Sequence, residues 1–129
     1  MTTKLNFLHI CDTAFLSNNG NLNIIGIFEK ILAAKLPATH PRLTIVANIG
    51  GLAGEHNFEI KIVSPKGKEI VKINGGFTLP KTGDNFGLIN SVGNLKIEEK
   101  GVYRVEVSAD KKSMGYTTFN VEIVESSGI

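Results

Sequence analysis

Gly101-Val102-Tyr103-Arg104-Val105-Glu106-Val107-Ser108-Ala109 is the stretch on which the fold turns. In an extended chain, Tyr103, Val105, Val107 and Ala109 fall on one side and Arg104, Glu106 and Ser108 on the other. That is a strand with one dry face and one wet face. Gly101 opens it after the charged run Glu98-Glu99-Lys100, and Asp110-Lys111-Lys112 closes it.

The segments around it show the same period of two. Phe119, Val121 and Ile123 alternate with Thr118, Asn120 and Glu122; Phe58, Ile60 and Ile62 alternate with Asn57, Glu59 and Lys61. Ser64-Pro65-Lys66-Gly67-Lys68 is a tight turn, so Glu69–Asn74 pairs back on the preceding strand. Gly75-Gly76 reads as a break before Phe77-Thr78-Leu79. Phe86–Ile89 and Leu95–Ile97 read as two short strands separated by Asn90-Ser91-Val92-Gly93-Asn94.

Nearer the N-terminus, Leu5, Phe7 and Cys11 share a face with His9, while Leu8 and Ile10 share the other with Asn6 and Asp12. Apolar residues on both faces predict a strand covered on both sides, or one that passes between two sheets. Ser17-Asn18-Asn19-Gly20-Asn21 is a turn, because Asn and Gly tolerate positive φ. It joins this strand to a second over Leu22–Ile31, where Gly26 signals a bulge or a close backbone approach. Glu29–Leu36 alone has helical propensity, but it lacks an N-cap and Pro37 ends it, so a short helix is the lesser expectation there. Pro37 and Pro41 bracket a rigid connection containing His40. Leu43, Ile45, Ala47 and Ile49 then alternate with Thr44, Val46 and Asn48.

Eight or nine short strands with almost no helix predict an all-β, antiparallel β-sandwich. Residues 1–129 form a single domain, with Glu125–Ile129 as a frayed tail.

A formal charge of +2 from 14 basic and 12 acidic residues is too balanced to imply nucleic acid or an anionic membrane surface. Arg42 and Arg104 are the only arginines, and Arg is the preferred side chain for bidentate phosphate and base contacts. No apolar run is long enough to span a membrane. Cys11 is the single cysteine, so no intrachain disulfide can form, which with the absence of a signal-like N-terminus predicts a cytoplasmic protein.

Two stretches together resemble a known group. Cys11-Asp12 is followed, after the Asn/Gly turn, by Gly20-Asn21-Leu22-Asn23-Ile24-Ile25-Gly26-Ile27-Phe28. Later, Gly101-Val102-Tyr103-Arg104-Val105-Glu106-Val107 precedes a short polar turn and a last strand. With Pro37 and Pro41 between, they resemble a family of small bacterial proteins of unknown function with an immunoglobulin-like sandwich. The resemblance covers most of the chain and implies no catalytic residues. The sequence departs from the pattern at Asp110-Lys111-Lys112-Ser113, where an Asp-Gly turn is expected; the departure predicts a lengthened hairpin.

The chemistry-bearing residues are scattered. His9, His40 and His56 show no ligand spacing; His9 and Cys11 share a strand face but make at most half of a zinc set. An apolar strand raises the pKa of Cys11, against a nucleophilic role. Asp12, Asp84 and Asp110 are isolated and suit turn capping better than calcium. Glu98 and Glu99 point to opposite faces of an extended chain. Gly50-Gly51-Leu52-Ala53-Gly54 lacks the Lys-Ser/Thr and helix of a phosphate loop. No Trp offers a sugar platform; Tyr103 belongs to the core, and Tyr116 with Arg104 makes a small polar patch. No cofactor or metal is expected.

These readings favour a non-enzymatic interaction or scaffold module. The doubly apolar first hairpin carries more apolar surface than one core needs, which points to a protein partner or to a homodimer through an edge strand. The alternative is a small-ligand binder using the loops Gly50–His56, Pro80–Asn85 and Asn90–Asn94. An enzyme would require His56 or His40 to meet a carboxylate and a nucleophile in one cleft.

Overall fold

The computed structural model describes residues 3–124, so the tail expected over Glu125–Ile129 lies outside the described residues. Nine strands make up the described chain: β1 (Lys4–Leu16), β2 (Leu22–Ile27), β3 (Lys30–Ala33), β4 (Ala38–Gly50), β5 (Gly54–Val63), β6 (Glu69–Leu79), β7 (Asn85–Ile97), β8 (Gly101–Ala109) and β9 (Lys112–Ile123). They form a four-stranded sheet in the order β2-β1-β4-β7 and a five-stranded sheet in the order β3-β9-β8-β5-β6. All pairings are antiparallel except β3 with β9. The strands are longer than expected, β1, β4 and β7 having 13 residues each.

The organising strand β8 behaves as its alternation requires. Tyr103, Val105, Val107 and Ala109 are buried, with Ile60 and Ile62 of β5 and Phe119 and Val121 of β9 beside them. Leu43, Ile45, Ala47 and Ile49 of β4 belong to the same core. Each large side chain in that core contributes about 1.5–3 kcal/mol of burial before entropy is charged. Tyr103 stacks on Phe119 with ring centroids 5.0 Å apart, and its hydroxyl donates to the Glu99 carbonyl at 2.7 Å. A tyrosine at the start of β8 bonded back to the preceding corner is the tyrosine corner of immunoglobulin-like sandwiches. The strand order agrees: β5, β8 and β9 stand as the C, F and G strands, and β1, β4 and β7 as A, B and E. In that scheme β2 is an addition, a hairpin arm laid outside the first strand.

Several local expectations change. The Leu22–Ile31 segment is two strands in different sheets, with Phe28-Glu29 crossing between them. Where helical propensity stood at Glu29–Leu36, β3 buries Ile31 and Ala33 and exposes Lys30 and Leu32, a strand alternation won by pairing with β9. Leu5 leaves the face of Phe7, His9 and Cys11, because Asn6 is an extra residue in the β1–β4 register and reverses the alternation. Leu5 packs with Leu8 and Ile10 against the core instead.

β4 runs through Pro41 without a break. β1 covers β4 only as far as Thr44, so the missing N–H falls where no β1 partner exists. Asn90–Asn94 is not a loop but the middle of β7. The irregularity there is real: Asn94 has φ +50°, and the buried positions shift from Leu88 to Leu95 and Ile97, which have opposite parity. Gly75-Gly76 likewise continues β6, paired with Phe58 and Asn57. A Cβ on Gly75 would lie 2.5 Å from the Phe58 ring, so this glycine makes room for an aromatic cross-strand neighbour. The β8–β9 hairpin is not lengthened. Asp110 and Lys111 are its whole loop, both left-handed at φ +51° and +66°, the conformation of a type I′ turn.

Candidate functional site

The surface least explained by the fold is the β1–β2 hairpin. Its turn closes as the Asn/Gly signal requires: Gly20 takes φ +83°, and the Ser17 amide donates to the Asn21 carbonyl at 2.8 Å. The register sets Cys11, Thr13 and Phe15 of β1 opposite Ile27, Ile25 and Asn23 of β2, all on the side away from the core. Phe15 is 47% exposed, Ile25 51% and Ile27 57%. Phe7 and His9, stacked with ring centroids 5.6 Å apart, extend this face along β1. Beneath them Cys11, Thr44 and Val46 are fully buried, although Thr44 and Val46 alternate as outward residues. The Thr44 hydroxyl is satisfied by the Asp12 carbonyl at 3.3 Å and by Ser91 at 3.1 Å. Close approach between the two strands occurs at Gly26. It has φ +73°, and the Asp12 carboxylate occupies the place of its missing Cβ.

His9 and Cys11 do share a face, but among the described residues no three His, Cys, Asp or Glu side chains converge as a metal set. Burial, and secondarily the Asp12 charge, push the Cys11 thiol up, which keeps it protonated at neutral pH. His40 packs on Phe28 at 5.7 Å, and its buried Nε2 has no hydrogen-bond partner among the described residues.

His56 is the most constrained of the three. Nδ1 lies 2.7 Å from Asp110 Oδ2 and Nε2 lies 2.7 Å from the Leu52 carbonyl. A carboxylate and a carbonyl can only accept, so this geometry favours the protonated ring, in which both nitrogens donate. The Asp110 bond, then the Leu52 bond, hold its pKa above the ordinary value. The His56 bond, then that from the Asn57 amide, hold the Asp110 carboxyl down. The ring also stacks on Phe77 at 5.1 Å, and Phe77 on Phe86 at 5.0 Å. No spacing in the chain signals this pair, because its members are 54 residues apart.

His56, Asp110, Leu52 and Lys4 line an open hollow of about 620 Å³. The loops Gly50–His56 and Pro80–Asn85 do meet. Gly83 N donates to Gly51 O at 2.8 Å, and Ala53 N donates to Thr82 Oγ1 at 3.0 Å. Gly54–His56 already belongs to β5. Asn90–Asn94 does not join them: Asn90 sits on β7 opposite Ile45, about 17 Å along the strand from Asn85 at 3.4 Å per residue. Asp84 caps its own turn, accepting from Lys81 N at 3.2 Å. The Arg104 guanidinium lies 3.8 Å from the centre of the Tyr116 ring, and its Nε donates to Glu106 at 3.1 Å. Glu99 faces Lys66 at 3.8 Å.

Among the described residues no helix is long and apolar enough to cross a membrane. The fold recurs in solved structures. One is the Pseudomonas fluorescens alkylpurine DNA glycosylase AlkC bound to DNA containing an abasic site analog, with a TM-score of 0.55 and 11% identity over 93% of this chain and 30% of that one. Another is the Listeria innocua β-glucosidase in complex with glucose, with a TM-score of 0.53 and 12% identity over 96% of this chain and 17% of that one. The chain thus spans less than a third of either protein, and the likeness is one of fold. An immunoglobulin-like protein from Pseudomonas aeruginosa aligns over 95% of this chain and 98% of its own, at 15% identity and a TM-score of 0.46. No curated protein matches the chain. A family model described as "Family of unknown function (DUF6941)" matches residues 6–122.

Proposed function

The chain belongs to this family of unknown function, and on that premise we propose that it is a non-enzymatic contact module whose working surface is the β1–β2 hairpin. One observation carries the reading. Ile25 and Ile27 stand half exposed on an edge strand that the immunoglobulin-like scheme does not require. Edge backbone groups and exposed apolar side chains together are what strand addition or face-to-face docking uses. The chemistry elsewhere supports it. His56 has both nitrogens committed to acceptors, and the Cys11 thiol is buried. A cytoplasmic location with a reduced Cys11 is part of the same reading.

The test is affinity capture from the host lysate with wild type, Ile25→Lys and Ile27→Lys, read by mass spectrometry. The expected result is a protein enriched by wild type and lost from both variants. Identical enrichment by all three would remove the hairpin from the interaction.

A further inference from the structure

Resting on that reading, we propose that the partner seated on β2 is a second copy of this chain, added strand to strand in antiparallel fashion about a two-fold axis beside Ile25. The sheet would then continue through the dimer as β7-β4-β1-β2 joined to β2-β1-β4-β7.

Each of the other exposed edges either carries a guard against such pairing or leaves no large apolar side chain exposed, and β2 does neither. β3 has only four residues, one of them Lys30. The outer edge of β6 bears Glu69 and Lys72, with Ile70 as a bulged residue. β7 is uncharged over Asn85–Gly93 and has its kink at Asn94 and Lys96 only beyond that run, but it leaves no large hydrophobic side chain exposed. β3 covers β9 only at Asn120–Ile123, but the open remainder begins with Lys112 and bulges at Met114. The open end of β1 bulges at Asn6 next to Lys4. Charges, bulges and short length are the devices that keep edges from pairing. β2, Leu-Asn-Ile-Ile-Gly-Ile, has no charge, pairs with β1 without a register shift, and is bent only near its end at Gly26.

The lack of charge also admits a second copy as the occupant. A two-fold contact sets a strand against itself, so every charge near the axis meets its own copy. An uncharged strand is self-complementary where a charged one is self-repelling. Antiparallel neighbours point side chains to the same side, so Ile25 of each copy falls beside Ile25 of the other on the outer face, with Ile27 and Phe15 flanking.

Sedimentation velocity on wild type, Ile25→Lys, Ile25→Glu and an equimolar mixture of the two variants tests this. Circular dichroism confirms each fold, as an exposed site allows. The expected result is a wild-type dimer, a dimer at least about tenfold weaker for each variant alone, and recovery in the mixture, where unlike charges meet. Ile25→Cys should cross-link across the axis on oxidation, since paired Cα atoms about 4.5–5.5 Å apart suit a disulfide. A monomeric wild type at about 1 mM, or no recovery in the mixture, overturns the proposal. If wild type is monomeric yet captures another protein that Ile25→Lys loses, self-pairing fails and the hairpin reading stands.

Discussion

His56 donates from Nδ1 to Oδ2 of Asp110 at 2.7 Å, tying the start of β5 to the turn between β8 and β9. The same ring donates from Nε2 to Leu52, so one side chain pins three segments. The His56 side chain is 10% exposed and that of Asp110 41%, so solvent screens the pair in part.

This pair makes stability depend on pH in a stated direction. The pKa of His56 is raised in the folded state, so its contribution is full below about 6.5 and is lost as pH rises through the folded pKa. The pKa of Asp110 is lowered, so its contribution is full above about 4 and is lost as pH falls through the folded value. Melting temperature is expected to peak between about pH 4 and 6.5 as far as this pair decides it. Asp110→Asn should cost about 1 kcal/mol at pH 6 after screening and flatten the decline above pH 6.5. Thermal melts of both proteins from pH 4 to 9 check it; an unchanged slope in the variant would show that the pair does not set the profile.

Lys111 sits at φ +66°, where a side chain costs about 1 kcal/mol. Lys111→Gly should therefore stabilise the fold by about 0.5–1 kcal/mol, reduced by the freedom glycine adds to the unfolded chain. Urea denaturation of the two proteins measures the difference. Asp110 shares the conformation but holds His56, so Asp110→Gly should destabilise.

Gly26 combines φ +73° with the Asp12 carboxylate in the space a Cβ would take. Gly26→Ala should cost about 2 kcal/mol, from backbone strain and displacement of that carboxylate. Adding Asp12→Ala should recover the steric part and leave the strain. Additive losses in the double-mutant cycle would mean that the two residues do not press on one another.

Val105 and Tyr103 separate two contributions of β8. Val105→Asp puts a carboxylate into a fully buried site without a partner and should abolish folding at neutral pH. Tyr103→Phe keeps the stack on Phe119 and removes only the bond to the Glu99 carbonyl. It should remain folded and lose about 1–1.5 kcal/mol in urea denaturation.

Period-two alternation at Tyr103–Ala109, Phe58–Ile62 and Phe119–Ile123 determined the strands, their inward faces and the sandwich class. Adjacent residues of an extended chain must face opposite ways, so the pattern is local and legible. The Asn/Gly turn before Leu22 and the Pro65 turn were legible for the same reason: both answer to φ preferences of single residues. The apolar excess of the first hairpin, on which the proposed function rests, was also written in the sequence, though not the combination of an uncharged edge with exposed isoleucines that sets β2 apart from the other edges. The tertiary structure alone decided where alternation slips. One extra residue at Asn6 moves Leu5 to the core side, a left-handed Asn94 reverses β7 without breaking it, and the parallel partner β9 turns Lys30–Ala33 into a strand of the other sheet. It alone brought His56 to Asp110. A bulge is one residue long and a cross-strand pair has no fixed spacing, so neither has a period that a sequence can display.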